Sequence, residues 1–231
     1  MLSAMAPLLA ALFLPSGLTF PYPFTNSSAP TNRTGLNNTT PNPNNTTPIE
    51  YQCQVLYPND LTVLNERYPD YNSSHLHDAN RLFMLRREIP IEGEIATRVQ
   101  FQGLPPKASN TTCRLEFILP QPDLQVIEGF NPTFDVFQVE RDTETTSTWR
   151  QYVGNSGAEL FGRVNGEAKA LEKTRKAGGI AAINSTQCNE TMTFQMGMAF
   201  NSRDGVPNYW YFVQSTLAAW PLQGFRMVWG C

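Results

Sequence analysis

Histidine is almost missing from this chain of 231 residues: His75 and His77 are the only two. On an extended strand both imidazoles could face one metal, beside Asp78. A third ligand such as Asp60 or Asp70 is not identified by any spacing, and the adjacent acceptor triplet at Asn72 points to a solvent-facing loop. Neither a metal site nor a cofactor is therefore expected. Charge of one sign is equally scarce, with 17 basic residues against 20 acidic ones. The single basic cluster, Lys169, Lys173, Arg175 and Lys176, is broken by Glu167 and Glu172. A nucleic-acid groove needs a one-sided field interleaved with stacking aromatics, so that class is excluded. No glycine-rich phosphate loop follows any candidate strand, and crossover helices are missing. No apolar run reaches the about 20 residues that a membrane helix needs.

What apolar run there is lies at the start. Residues 1–14 carry no charge, and 8–14 form a short apolar centre. That length suits a secretory signal, with cleavage after Thr19, so 1–19 is read as a signal peptide. Residues 20–48 are almost wholly Asn, Thr, Ser and Pro. Such a segment buries too little apolar surface to offset the cost of ordering, and a disordered, N-glycosylated arm is expected. Acceptor triplets begin at Asn26, Asn32, Asn37, Asn38, Asn44 and Asn45, and others at Asn72, Asn110, Asn184 and Asn189. No hydrophobic tail lies before Cys231, so the expected product has no membrane span and is secreted, extracellular or cell-wall-associated.

From Ile49 the composition turns aromatic and β-branched, and 49–231 is read as a single β-rich domain. Tyr51, Cys53 and Val55 alternate with glutamines. Thr97, Val99 and Phe101 share one strand face; Cys113, Leu115, Phe117 and Leu119 share another. Phe137 and Val139 are read as the inward side of a strand over 133–140, and β character resumes over 148–153. Met192, Phe194, Met196, Met198 and Phe200 occupy alternate positions. Trp210 and Phe212 oppose Tyr209, Tyr211 and Val213, and Phe225, Met227 and Trp229 share a face near the end. Residues 60–78 read as a long surface excursion. Only 167–176 has helix-forming composition, stopped by Gly178-Gly179; Leu171 would have to dock it. Short strands between prolines and polar turns argue for an all-β fold, an antiparallel β-sandwich or jelly-roll-like arrangement with one short helix.

Four cysteines behind a signal allow three complete pairings. The preferred one joins Cys53 to Cys113 and Cys188 to Cys231, since each bridge then closes a region containing a strand return.

The run Cys113-Arg114-Leu115-Glu116-Phe117-Ile118-Leu119-Pro120 resembles the "Cys, alternating hydrophobic, Pro" strand of secreted fungal proteins of the But-two family, related to its ubiquitin-like-protein-binding C-terminal domain. Glu159-Leu160-Phe161-Gly162-Arg163-Val164, the later Gly178-Gly179-Ile180, the alternating 191–200 strand and the terminal Gly224-Phe225-Arg226-Met227-Val228-Trp229-Gly230-Cys231 are similar to it in order. The resemblance covers 95–231; the added N-terminal body with Cys53 and the 167–176 insertion depart from it. It implies a fungal, β-rich extracellular domain. A ubiquitin-like partner is cytosolic and would not meet a secreted glycoprotein, so that activity is not carried over.

For function, Gly154-Asn155-Ser156-Gly157-Ala158 lacks the last glycine of a nucleophile elbow and reads as a turn. Paired carboxylates for glycoside hydrolysis could come from Glu116, Asp123, Glu128, Asp135, Glu140, Asp142 or Glu144, with Glu116 and Glu140 facing away from the apolar side near Trp149 or Trp210. Solvent-facing carboxylates of this kind are ordinary on strands. Non-catalytic binding of a cell-wall polysaccharide is the preferred expectation, carried by Tyr209, Tyr211 and Trp220, which lie away from the apolar stripe. The alternatives are a structural or host-interaction protein that contacts an extracellular protein, and a glycoside hydrolase. Arg86-Arg87 forms a dibasic pair of the type that secretory proteases cleave, though burial beside 83–85 would protect it.

Overall fold

The computed structural model describes residues 53–72, 81–88, 93–139, 148–153, 158–215 and 221–231. Their strands in chain order are β1 (Gln54–Leu56), β2 (Asp60–Asn65), β3 (Leu82–Glu88), β4 (Gly93–Gln102), β5 (Thr112–Ile118) and β6 (Gln125–Glu128). Then follow β7 (Phe134–Val139), β8 (Glu159–Val164), β9 (Ile180–Gln187), β10 (Thr191–Met198), β11 (Asn208–Val213) and β12 (Gly224–Trp229). Two short helices, α1 (Trp149–Val153) and α2 (Ala168–Lys176), interrupt them. All of these elements belong to the unit Ile49–Cys231.

The strands form two antiparallel sheets. One has the order β1-β12-β5-β9; the other runs β6-β11-β3-β4-β10-β7-β8, with β2 added on β4. β4 therefore has β2 along one side, on residues 95–100, and divides the other between β3, on 93–95, and β10, on 97–102. Where β3 leaves the ladder, the buried Thr97 hydroxyl takes over: it donates to the Met84 carbonyl at 2.7 Å and accepts the Met84 N–H at 3.2 Å. The freed backbone groups of Met84 are thus satisfied without water.

The sheets face each other across an aromatic core, a sandwich-like arrangement with no closure into a barrel or jelly roll seen among the described residues. Phe117 and Phe225 come from the four-stranded sheet; Phe83, Phe134, Trp210 and Phe212 come from the other. Phe83 lies 4.6 Å from Phe212 and 5.1 Å from Phe225 between ring centroids, and Trp210 meets Phe134 edge-on at 5.0 Å. Each such ring contributes about 1.5–3 kcal/mol by leaving water. The period-two alternation read in β4, β5, β10, β11 and β12 is the alternation that fills this core.

Several expectations are corrected. The bridges join Cys53 to Cys231 and Cys113 to Cys188. The reason is the strand order: β1 runs antiparallel beside β12, and β5 beside β9, so each cysteine at a strand end meets the one across its own ladder. Residues 148–153 hold the helix α1, whose Trp149 packs on Leu64 and Ala96. Residues 60–65, read as part of a surface excursion, are the buried strand β2. In β7 it is Phe134 and Val136 that enter the core, while Phe137 takes the other side. β6 and β9 carry no signal long or periodic enough to be read. Leu171 does dock α2, buried in the main core.

Candidate functional site

Because β11 alternates, burying Trp210 and Phe212 turns Tyr209 and Tyr211 to the opposite face. There the two rings stand nearly parallel, 10° apart in plane with centroids 6.4 Å apart. The neighbouring strands supply the surroundings. Tyr209 lies directly between Arg86 on β3 and Glu128 on β6, and Tyr211 between Met84 and Val126. Val213 continues the row beside Leu82. Val126 and Val213 are 42% and 47% exposed, so this face is open. Burial, followed by the nearby Tyr211 and Glu128, pushes the Tyr209 phenol up, against the opposing pull of the Arg86 guanidinium. The face is accordingly polar and charged around Tyr209 and apolar around Tyr211.

The platform is held at both ends by buried amides. Asn208 donates to the Phe200 and Asn201 carbonyls at 3.0 and 2.9 Å and accepts the Asn131 N–H at 3.0 Å. Gln214 bonds across to the other sheet through Phe225. Gly129, at φ +102°, follows Glu128 where any Cβ would strike Asn208 and the Pro207 carbonyl, so the β6 turn closes tightly against β11. Beyond that turn opens a groove of about 630 Å³ lined by Ile127, Phe130, Pro132, Gly166, Lys169 and Leu171. Phe130 at its rim carries the Arg203 guanidinium at 4.7 Å.

The third expected binding residue, Trp220, lies outside the described residues, as do the signal segment, the arm with Asn26, Asn32, Asn37, Asn38, Asn44 and Asn45, His75, His77, Ser156 and Glu140. Arg86, Met84 and Val126 carry no sequence signal for binding, and Glu128 stands out only as one of the seven candidate carboxylates. Arg86 stands out in the sequence only as half of a dibasic pair, and a four-residue strand such as β6 has no legible period. The pair itself sits in β3, hydrogen-bonded into ladders on both sides, with Arg86 on Glu88 and Arg87 on the Met198 carbonyl.

Glu116, a candidate for acid–base work, is buried between two guanidiniums. Its Oε1 accepts from Arg114 at 2.7 Å and its Oε2 from Arg226 at 2.7–2.8 Å. Trp149 and Trp210 are both buried, so neither offers a stacking surface beside it. Asp135 is forked onto Arg163 at 2.6 and 3.1 Å. Among the described residues, no three His, Cys, Asp or Glu side chains gather as a metal site, and no helix is long and apolar enough to cross a membrane. Of the remaining acceptor asparagines, Asn110, Asn184 and Asn189 are exposed and Asn72 is half-buried. No protein-family model matches this chain, and no curated protein matches it.

Proposed function

We propose that this is a secreted glycoprotein whose β domain binds cell-wall polysaccharide without turning it over, through the face built on Tyr209 and Tyr211. The observation that carries the reading is the pair of near-parallel tyrosine rings on an open sheet face, with a guanidinium and a carboxylate in register beside Tyr209. Axial C–H groups of a pyranose ring pack on aromatic faces, while its hydroxyls need donors and acceptors at the edge. Few residues do both at low entropic cost, and tyrosine is one. Clamping of β11 by Asn208 and Gln214 supports the same reading, because a rigid platform loses little freedom on binding.

The extracellular location rests on the signal-like start, the asparagine-rich arm and the exposed acceptor asparagines of the domain. Two disulfides with no free cysteine among the described residues suit an oxidising compartment. The resemblance to the But-two family is kept for a fungal β-sandwich scaffold alone, with no ubiquitin-like partner.

The test is retention of the secreted, deglycosylated chain on a panel of soluble and insoluble cell-wall polysaccharides. The wild type is expected to bind saturably. A Tyr209→Ala/Tyr211→Ala variant, checked by circular dichroism for retained fold, should lose at least about tenfold in affinity, given two aromatic contacts of about 1 kcal/mol each. Failure of the wild type to bind any polymer removes the reading and directs the search to protein partners.

A further inference from the structure

We propose that the tyrosine face is selective for N-acetylated sugar polymers, with the acetamide methyl seated on Val126 and Val213 beside Tyr211. This rests on the reading that the face binds glycan, and goes on to name the class of sugar.

The argument comes from the uneven chemistry of the two ends. Around Tyr209 the neighbours in register are Arg86 and Glu128, one donor and one acceptor. Around Tyr211 they are Met84 and Val126, and the row ends on Val213 and Leu82. Each of these side chains presents only methyl, methylene or thioether surface. A plain hexose carries hydroxyl or hydroxymethyl groups around its whole rim. Laid along both tyrosines, it would turn hydroxyls onto Val126 and Val213, where among the described side chains in register only the Tyr211 phenol can bond them, and polar groups so desolvated oppose binding. A sugar with an acetamido group removes that mismatch. Its methyl covers the two valines, its ring rests on the tyrosines, and its remaining hydroxyls face Arg86 and Glu128.

The valines are also exposed apolar side chains, diagonal neighbours across β6 and β11 on one face, as a recognition surface would require. A free amine in place of the acetamide would lose the methyl and add a hydrated cation next to them. Both changes disfavour binding, so acetylation itself is the feature read.

The experiment uses the full secreted chain, deglycosylated and confirmed folded, against three insoluble polymers of one linkage. These are β-1,4-linked N-acetylglucosamine, the same polymer chemically N-deacetylated, and β-1,4-linked glucose. Retention on the acetylated polymer should exceed that on the other two roughly tenfold, the low end of what one methyl in an apolar site discriminates. A Val126→Thr/Val213→Thr variant, which keeps the side-chain shape and strand preference, should reduce that ratio to near unity. The Tyr209→Ala/Tyr211→Ala variant should lose all three. Equal retention on glucose and acetylated polymer, or an unchanged ratio in the valine variant, overturns the acetyl assignment while leaving the tyrosine platform standing. No retention on any polymer, or retention indifferent to the tyrosine variant, overturns the platform and this proposal with it.

Discussion

Gln214 and Phe225 exchange two hydrogen bonds: the Phe225 N–H donates to Gln214 Oε1 at 2.7 Å, and Gln214 Nε2 donates to the Phe225 carbonyl at 3.0 Å. A side-chain amide thereby stands in for a strand partner and sews the end of β11 in one sheet to β12 in the other. The approach depends on Gly224, at φ +93°, because a Cβ there would collide with Gln214 itself.

Replacing Gln214 with Ala should accordingly destabilise the domain by about 2–4 kcal/mol, since it strands the buried backbone N–H and carbonyl of Phe225 together. Urea unfolding followed by tryptophan fluorescence reads this directly. A change below about 1 kcal/mol would show that water replaces the amide and that the two sheets do not depend on it.

The two disulfides differ in access. Cys53 and Cys231 are exposed, whereas Cys113 and Cys188 are 0% and 1% exposed within the core. Non-reducing peptide mapping should return these two pairs. Mild thiol titration of the folded protein should open Cys53–Cys231 first and leave Cys113–Cys188 intact until unfolding. Each should contribute about 2–5 kcal/mol, and Cys113→Ala/Cys188→Ala should cost more than Cys53→Ala/Cys231→Ala because it also leaves a core void. Simultaneous reduction of both bridges would contradict this difference in burial.

Glu94 provides the pH dependence. Burial pushes its carboxyl up to about 7 from 4.5, the Arg87 guanidinium opposes the shift, and Glu66 adds to it. The Tyr152 phenol close by is raised by the same burial and by Glu94. The folded domain therefore holds the Glu94 proton more tightly than the unfolded chain. Its contribution is complete below about pH 4.5 and lost as pH rises through 7. Over that window stability should fall by on the order of 2–3 kcal/mol, and Glu94→Gln should flatten that part of the profile. Denaturant midpoints measured from pH 4.5 to about 8 test it; an identical slope in the variant would assign the dependence elsewhere.

Much of the architecture is readable residue by residue. The alternation in β5, β10 and β12 identifies Phe117, Phe194 and Phe225 as core, and the opposite parity of Tyr209 and Tyr211 from Trp210 makes them candidates for a solvent face. A period of two is a local property, and it survives whatever the strand pairs with. The reading fails where the deciding contact is distant. Thr148, Trp149, Tyr152 and Val153 all favour a strand by propensity, yet their segment is helical. Trp149 and Tyr152 lie one helical turn apart and both pack on the patch formed by Leu64 and Ala96, and that contact overrides the local preference.

The amino-acid sequence alone thus determined the β class, the inward and outward faces of the longer strands, and the presence of cysteines suited to bridging. Only the tertiary structure decided which cysteines meet, since that follows from β1 lying on β12 and β5 on β9, neighbours separated by 178 and 75 residues at the bridges. It likewise decided that Tyr209 is flanked by Arg86 and Glu128. Lateral register between strands far apart in the chain is set by the packing of both sheets around one core, and no local pattern encodes it.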